Sequence, residues 1–231
     1  MPTGVPMPDV REQLFDAARR VLLRDGPDAL TSRAVTTEAG VAKGILHRHF
    51  VDFDTFLVSL VLGHMELLDH LSAELRTSAG SGTVQHNLAD ALTAALTPDA
   101  LAIVSLVMSR HELLSRLRLT TPTGIPLLTE MAKMVAAYLT AERGLGRIPL
   151  RTDVDSLAVI LVGGAHLQIA GHHGKSPDTD EPRNLVTNTI VSIIKDQPQS
   201  TALGETAGTI PSTPSEAEPG SAERSKRGGP R

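Results

Sequence analysis

Apolar residues recur at a spacing near 3.6 through most of the chain, as they do in helices that each bury one stripe. Val10, Leu14, Ala17, Ala18, Val21 and Leu22 share a face, Asp9 stands where it can cap them, and Gly26-Pro27 stops the run. The pattern predicts a helix of about 15 residues there. A short helix follows, capped by Thr31 and closed at Gly40, then another over residues 42–48 and a long one from Asp52 to Arg76. Asp52 and Asp54 fall in the first turn of the long helix, where its dipole favours anions. Thr77 to Thr83 reads as a loop. Five more helices are expected over residues 83–96, 99–116, 124–143, 153–171 and 181–196, with breaks at Pro98, at Thr121-Pro122-Thr123-Gly124, at Gly144 to Pro149 and at Gly174 to Pro177. Leu157 to Val162 is apolar enough for a buried strand, but its helical continuation and the lack of partner strands favour a helix. The class is all-α, with about nine helices.

Composition narrows the function. The 231 residues, 41% of them apolar, suffice for a sizeable core, and the four Phe and single Tyr suit helices better than sheets. The absence of Cys removes any disulfide framework, thiolate metal site or cysteine nucleophile, and a reducing cytoplasm is the expected compartment. Neither a signal peptide nor a membrane span is expected from the apolar runs. From Gln197 the text turns to Pro, Gly, Ser and Thr with mixed charges, which predicts a disordered tail over 197–231. Its closing Arg224, Lys226, Arg227 and Arg231 are solvated or touch DNA weakly. Residues 1–8 read as a flexible N-terminal arm. Net charge is −4, yet residues 1–50 hold seven Lys and Arg against six Asp and Glu, so only this end favours an anionic polymer.

Residues 30–50, L-T-S-R-A-V-T-T-E-A-G-V-A-K-G-I-L-H-R-H-F, carry the sharpest signal. Two short helices meet at an Ala-Gly-Val turn in which Gly40 adopts positive φ and Val41 tucks inward. Val35, Ala39, Val41, Ile45, Leu46 and Phe50 are the expected buried set. What remains on the second helix, Ala42, Lys43, Gly44, His47 and Arg48, is small or cationic, as a helix entering a major groove about 12 Å wide requires.

This segment, with the helix before it, resembles the DNA-binding domain of the tetracycline-repressor (TetR) family of bacterial regulators. Against the family pattern T-T-x-x-I-A-x-x-A-G-V-S-x-G-x-L-Y-x-H-F, residues Thr31, Ala39, Gly40, Val41, Gly44, Leu46, His49 and Phe50 match in register, with Ser32 and Val35 as near matches. The departures are Ala42 for the usual Ser, His47 for the usual Tyr, and Phe53 where a Lys usually meets a phosphate. The resemblance implies a helix-turn-helix at 31–50 within a DNA-binding domain over 9–55, followed by a ligand-binding and dimerisation domain over 56–196.

Candidate DNA contacts follow residue by residue. Thr31 and Ser32 offer helix N-terminal N–H groups to a phosphate or serve as a plain cap. Arg33 grips the backbone or stays solvated. Lys43 is the candidate for reading guanine O6/N7, and Gly44 lets the helix lie close to the bases. His47 and His49 suit phosphate better than a metal, since residues two apart point to different helix faces; Arg48 is divided between contact and solvent. In the second domain, Met108, His111, Glu112, Met131, Met134, Tyr138 and His166 combine an apolar stripe with isolated polar groups, as a ligand pocket does, although each also suits ordinary core. Gly163, Gly164 and Ala165 permit close helix approach, and Leu185, Val186, Thr189, Ile190, Ile193 and Ile194 form an apolar face for a dimer interface or for packing within the subunit.

The resulting expectation is a one-component regulator, a repressor released from palindromic double-stranded DNA by a small, largely apolar effector. It acts as a homodimer in the bacterial cytoplasm, associated with the nucleoid when DNA-bound, without cofactor or membrane. The alternative is a helical small-molecule-binding dimer with lost or weak DNA binding. An enzyme is disfavoured, because His64 with Glu66, His111 with Glu112 and His172-His173 make no Glu-x-x-His pair, and no nucleophile motif or phosphate loop accompanies them.

Overall fold

The computed structural model describes residues 9–168, the backbone of 169 and 170, and residues 184, 187 and 188. Among these, nine α-helices and one short 3-10 turn occur, and no strand. The predicted arm at 1–8, the expected helix at 181–196 apart from residues 184, 187 and 188, its interface residues Leu185, Val186, Thr189, Ile190, Ile193 and Ile194, and the tail lie outside the described residues.

Helix α1 spans Val10–Asp25 and is capped as its sequence requires: the Asp9 carboxylate accepts from Arg11 N at 3.0 Å. A 3-10 turn over Pro27–Ala29 leads to α2, Ser32–Glu38, and α3, Ile45–His49. Helix α4 runs unbroken over Phe53–Thr77, then α5 spans Val84–Ala95, α6 Pro98–Ser109, α7 His111–Leu117, α8 Pro126–Gly144 and α9 Val154–Ala170. Pro98 is the first residue of α6 behind its Thr97 cap, where a missing N–H costs nothing.

Two boundaries differ from the sequence expectation. The helix expected over 99–116 is broken at Arg110, whose extended backbone (φ −118°, ψ 98°) separates α6 from α7. The recognition helix begins at Ile45 instead of residue 42, because Ala42 has no side-chain oxygen to cap it and Gly44 resists helix formation. Ala42 O instead accepts from Ile45 N at 2.9 Å in a tight lead-in turn.

The core runs the length of the described chain. Leu14, Val21, Leu30, Val35, Leu46 and Phe56 are buried at one end; Leu88, Ile103, Leu113, Met131, Tyr138, Leu139 and Leu161 continue it at the other. Helix α4 packs along α8, α8 along α9, and α1 lies on both α2 and α6. Among the described residues α4 alone is long and apolar enough to cross a membrane by length and composition. Its Phe56, Leu57, Leu60, Val61, Leu68 and Leu75 are buried inside the molecule while Glu66, Asp69 and Glu74 face out, as in a core helix.

Candidate nucleic-acid interface

The reading head is assembled around phenylalanine. Phe15 of α1 stacks on Phe56 of α4 at 5.4 Å, and Phe50 meets both edge-on at 5.7 and 5.1 Å. The Arg11 guanidinium covers the Phe50 ring at 4.4 Å and donates to His49 O at 3.4 Å, which secures the C-terminal end of α3. Leu46, wholly buried, pins α3 from beneath.

The turn between α2 and α3 is held by backbone and by α1. Gly40 takes φ 68° with nothing within 4 Å of where a Cβ would stand, so it is the left-handed backbone, not crowding, that calls for glycine. Gly40 N donates to Thr37 O at 3.1 Å and Val41 N to Thr36 O at 3.0 Å, while Gln13 Nε2 donates to Ala39 O at 2.8 Å. At the start of α2, Thr31 Oγ1 accepts from Ala34 N at 3.1 Å. On its far side Glu38 receives Arg20 at 2.8 Å and Arg24 at 2.9 Å, and these two guanidinium groups, Arg20 foremost, hold its carboxyl below the ordinary range.

This framework leaves Ala42, Lys43, Gly44, His47, Arg48 and His49 exposed together, with Thr31 and Arg33 exposed and Ser32 half-buried at the start of α2. Of the expected buried set, Val35, Ala39, Leu46 and Phe50 are buried, while Val41 and Ile45 are half-buried. Phe53 is half-buried and stacks on Phe56 at 5.7 Å, so in this chain the position belongs to the aromatic cluster.

The residues expected to line a pocket differ widely in exposure. Met131, Met134 and Tyr138 are buried in α8, and His166 on α9 is half-buried with a buried Nδ1 that has no hydrogen-bond partner. Met108 is 61% exposed, and His111 and Glu112 are exposed as well. Met108 falls on the outer side of α6, and the break at Arg110 puts His111 and Glu112 on a separate helix. Glu112 lies 3.3 Å from Arg116, within its own helix. Of the expected interface glycines, Gly163 and Gly164 are half-buried on α9. Among the described residues no three metal-ligating side chains cluster.

Sequence reasoning missed a polar knot at the end of α8. Glu142 is fully buried, accepts from Gly80 N at 3.3 Å and faces Arg147 at 3.3 Å, and Tyr138 OH accepts from Asn87 Nδ2 at 2.9 Å. Burial first, and then the Glu142 carboxylate, push the Tyr138 hydroxyl far above its ordinary value. It also missed two arginines that bind the reading head to the later helices. Arg110 Nη2 donates to Leu30 O at 2.6 Å and Pro27 O at 3.2 Å, just ahead of the Thr31 cap, with its guanidinium 5.8 Å from the Phe53 ring. Arg116 of α7 stands 3.5 Å from Asp52 and 3.6 Å from Asp54.

Residues 14–55 match the sequence profile of the bacterial regulatory proteins of the tetR family. No curated protein sequence matches the chain. Among solved structures, a Mesorhizobium loti protein designated a TetR-family transcriptional regulator superposes with a TM-score of 0.62 at 15% identity, covering 80% of this chain and 95% of its own. The multidrug binding protein EbrR, complexed with imidazole, is 25% identical with a TM-score of 0.52 and coverage of 80% and 96%. The transcriptional regulator FadR of Bacillus subtilis, in complex with stearoyl-CoA, gives 17% identity, a TM-score of 0.61 and coverage of 79% and 98%. Residues 14–55 thus resemble the regulatory proteins of the tetR family, in a chain whose helical fold is that of solved TetR-family transcriptional regulators.

Proposed function

We propose that this DNA-binding transcriptional regulator is a repressor that holds a palindromic operator as a two-fold dimer and leaves it when a small, largely apolar effector binds. The observation that carries the reading is the exposed, small and cationic surface of Ala42 to His49, backed by buried Leu46 and Phe50. It fits a major groove in width and in charge. Lys43 reads a base edge. Thr31, Ser32, Arg33, His47, Arg48 and His49 hold phosphates, and Ala42 and Gly44 keep the helix close to the duplex.

Five described residues of α3 read few base pairs alone, so specificity needs a second copy about one duplex turn away. Support for pairing comes from α9, where Val159, Ile160 and Leu167 are exposed beside Gly163 and Gly164. Buried Met131, Met134 and Tyr138 supply adaptable apolar surface on α8, which suits an apolar effector, and the solved neighbours named for stearoyl-CoA and multidrug binding lend weight to that class. An effector acts by binding better to the form whose reading heads are wrongly spaced. The cytoplasm is the compartment that agrees with this role.

The second reading, a ligand-binding dimer with weak DNA affinity, draws on the uncapped start of α3 and on Phe53, which sits among the other rings. Fluorescence anisotropy on duplexes from beside the protein's own coding region, at two salt concentrations, separates the two. On the repressor reading Lys43→Ala flattens discrimination between sequences by about 1–3 kcal/mol, whereas Thr31→Ala weakens all of them alike. Weak, sequence-blind binding by the wild type favours the second.

A further inference from the structure

The corner where α3 gives way to α4 carries acid beside the proposed DNA surface. Asp52 accepts from Thr55 N at 2.6 Å, so the N-terminus of α4 is occupied by the chain's own carboxylate, and Asp54 follows in the same turn. That hydrogen bond, more than any nearby cation, holds the Asp52 carboxyl below its ordinary range and keeps it charged. Three peptide units separate Asp52 from His49, which limits their Cα atoms to about 11 Å apart. Charges at that separation are not fully screened when the Debye length is about 8 Å. At low ionic strength, where the Debye length reaches about 30 Å at about 0.01 M, a phosphate held by Arg48 or His49 feels both carboxylates.

One cation of the later helices answers them. Arg116 Nη1 stands 3.5 Å from Asp52 Oδ2 and its Nη2 3.6 Å from Asp54 Oδ2, while its Nε donates to Glu112 Oε1 at 3.3 Å. Arg110, on the loop before α7, has its guanidinium on the carbonyls of Pro27 and Leu30. All members of the Arg116 group are partly exposed, and pairs of that kind contribute little to folding. Their larger effect is on the field that an approaching polyanion meets.

We infer that Arg116 is a positioning residue for DNA that sets affinity without touching it: standing over Asp52 and Asp54, it offsets one unit of negative charge at the acidic edge of the reading head. The inference rests on the regulator reading above. One guanidinium faces three carboxylates, so loss of the Arg116 charge leaves each head one unit more negative, and a dimer doubles the effect.

The test uses the full chain and a fluorescein-labelled duplex selected from a random pool by the wild type. Arg116→Gln weakens binding roughly three- to tenfold at low salt, equally for a scrambled duplex, and the difference shrinks as salt rises. Replacing one acid in that background, Asp54→Asn, returns the net charge to the wild-type value and restores affinity to within about twofold, while the Asp52 cap is kept. A head merely clamped in place by Arg116 does not recover, so failure of the rescue overturns the inference, as does unchanged affinity in Arg116→Gln. Should Arg116→Gln fail to fold, Asp54→Asn with Arg116 retained decides: tighter binding supports the inference and unchanged binding overturns it. A wild type that selects no duplex brings down the regulator reading itself, which is a separate outcome.

Discussion

His64 sits inside the molecule on α4 and has a buried Nδ1 without a hydrogen-bond partner. Burial pulls its pKa below the ordinary 6.5; Asp99 of α6 opposes that pull, and Arg19 of α1 adds to it. The folded protein therefore binds this proton less readily than the unfolded chain does. Stability from this group is complete above pH 6.5, falls as pH drops through that value, and stops falling below the depressed native value. His166, also lowered by burial, acts in the same sense. Urea unfolding at about pH 7.5 and about pH 5.5 is expected to give a lower midpoint in the more acidic buffer, with a smaller drop in His64→Leu. Equal drops in both proteins would contradict a neutral, buried His64. At this scale the caps were legible in sequence, because Asp9 and Thr31 act on N–H groups two or three residues away. The state of His64 was not, since helices far apart in the sequence bury it.

At the scale of elements, the break between α6 and α7 has a visible cause. Nothing in Ser109-Arg110-His111 stops a helix by propensity, and the periodicity of the segment runs on through it. The Arg110 guanidinium is held by two carbonyls some eighty positions earlier, and the backbone gives way to reach them. Such a break is written in tertiary contacts, which is why a local reading joined the two helices and placed Met108, His111 and Glu112 on one stripe. Arg110→Ala removes hydrogen bonds from the Pro27 and Leu30 carbonyls and is expected to cost about 1–3 kcal/mol in denaturant unfolding. DNA binding should weaken with it, because the carbonyls adjoin the Thr31 cap. A loss under about half a kcal/mol would mean that water replaces the arginine at no cost. The helix-turn-helix was legible for the opposite reason: its turn, cap and buried Leu46 are set within twenty residues, and only the start of α3 moved.

For the whole molecule, α9 poses the question of what covers it. Leu157, Ala158, Leu161, Val162 and Ala165 are buried against the subunit, yet Val159 is 62%, Ile160 58% and Leu167 74% exposed on the same helix. A helix apolar on all sides is expected to be buried on all sides. If a second copy supplies the missing cover, Ile160→Asp should shift the sedimenting species from dimer to monomer and weaken operator binding, leaving the circular dichroism of the subunit unchanged. A variant that remains dimeric at low protein concentration would assign the interface elsewhere. The expected interface residues beyond 181 share in that test, since the chain order sets them after α9.

The separation of rings between the two ends of the molecule makes each end optically distinct. All four Phe stand at positions 15 to 56 around the reading head, the single Tyr is buried in α8, and there is no Trp. Tyrosine emission, excited where phenylalanine does not absorb, is therefore a readout of α8 and its surroundings. If an effector enters beside Tyr138, as proposed, that signal should change, while docking of the reading head on its own should leave it unaltered.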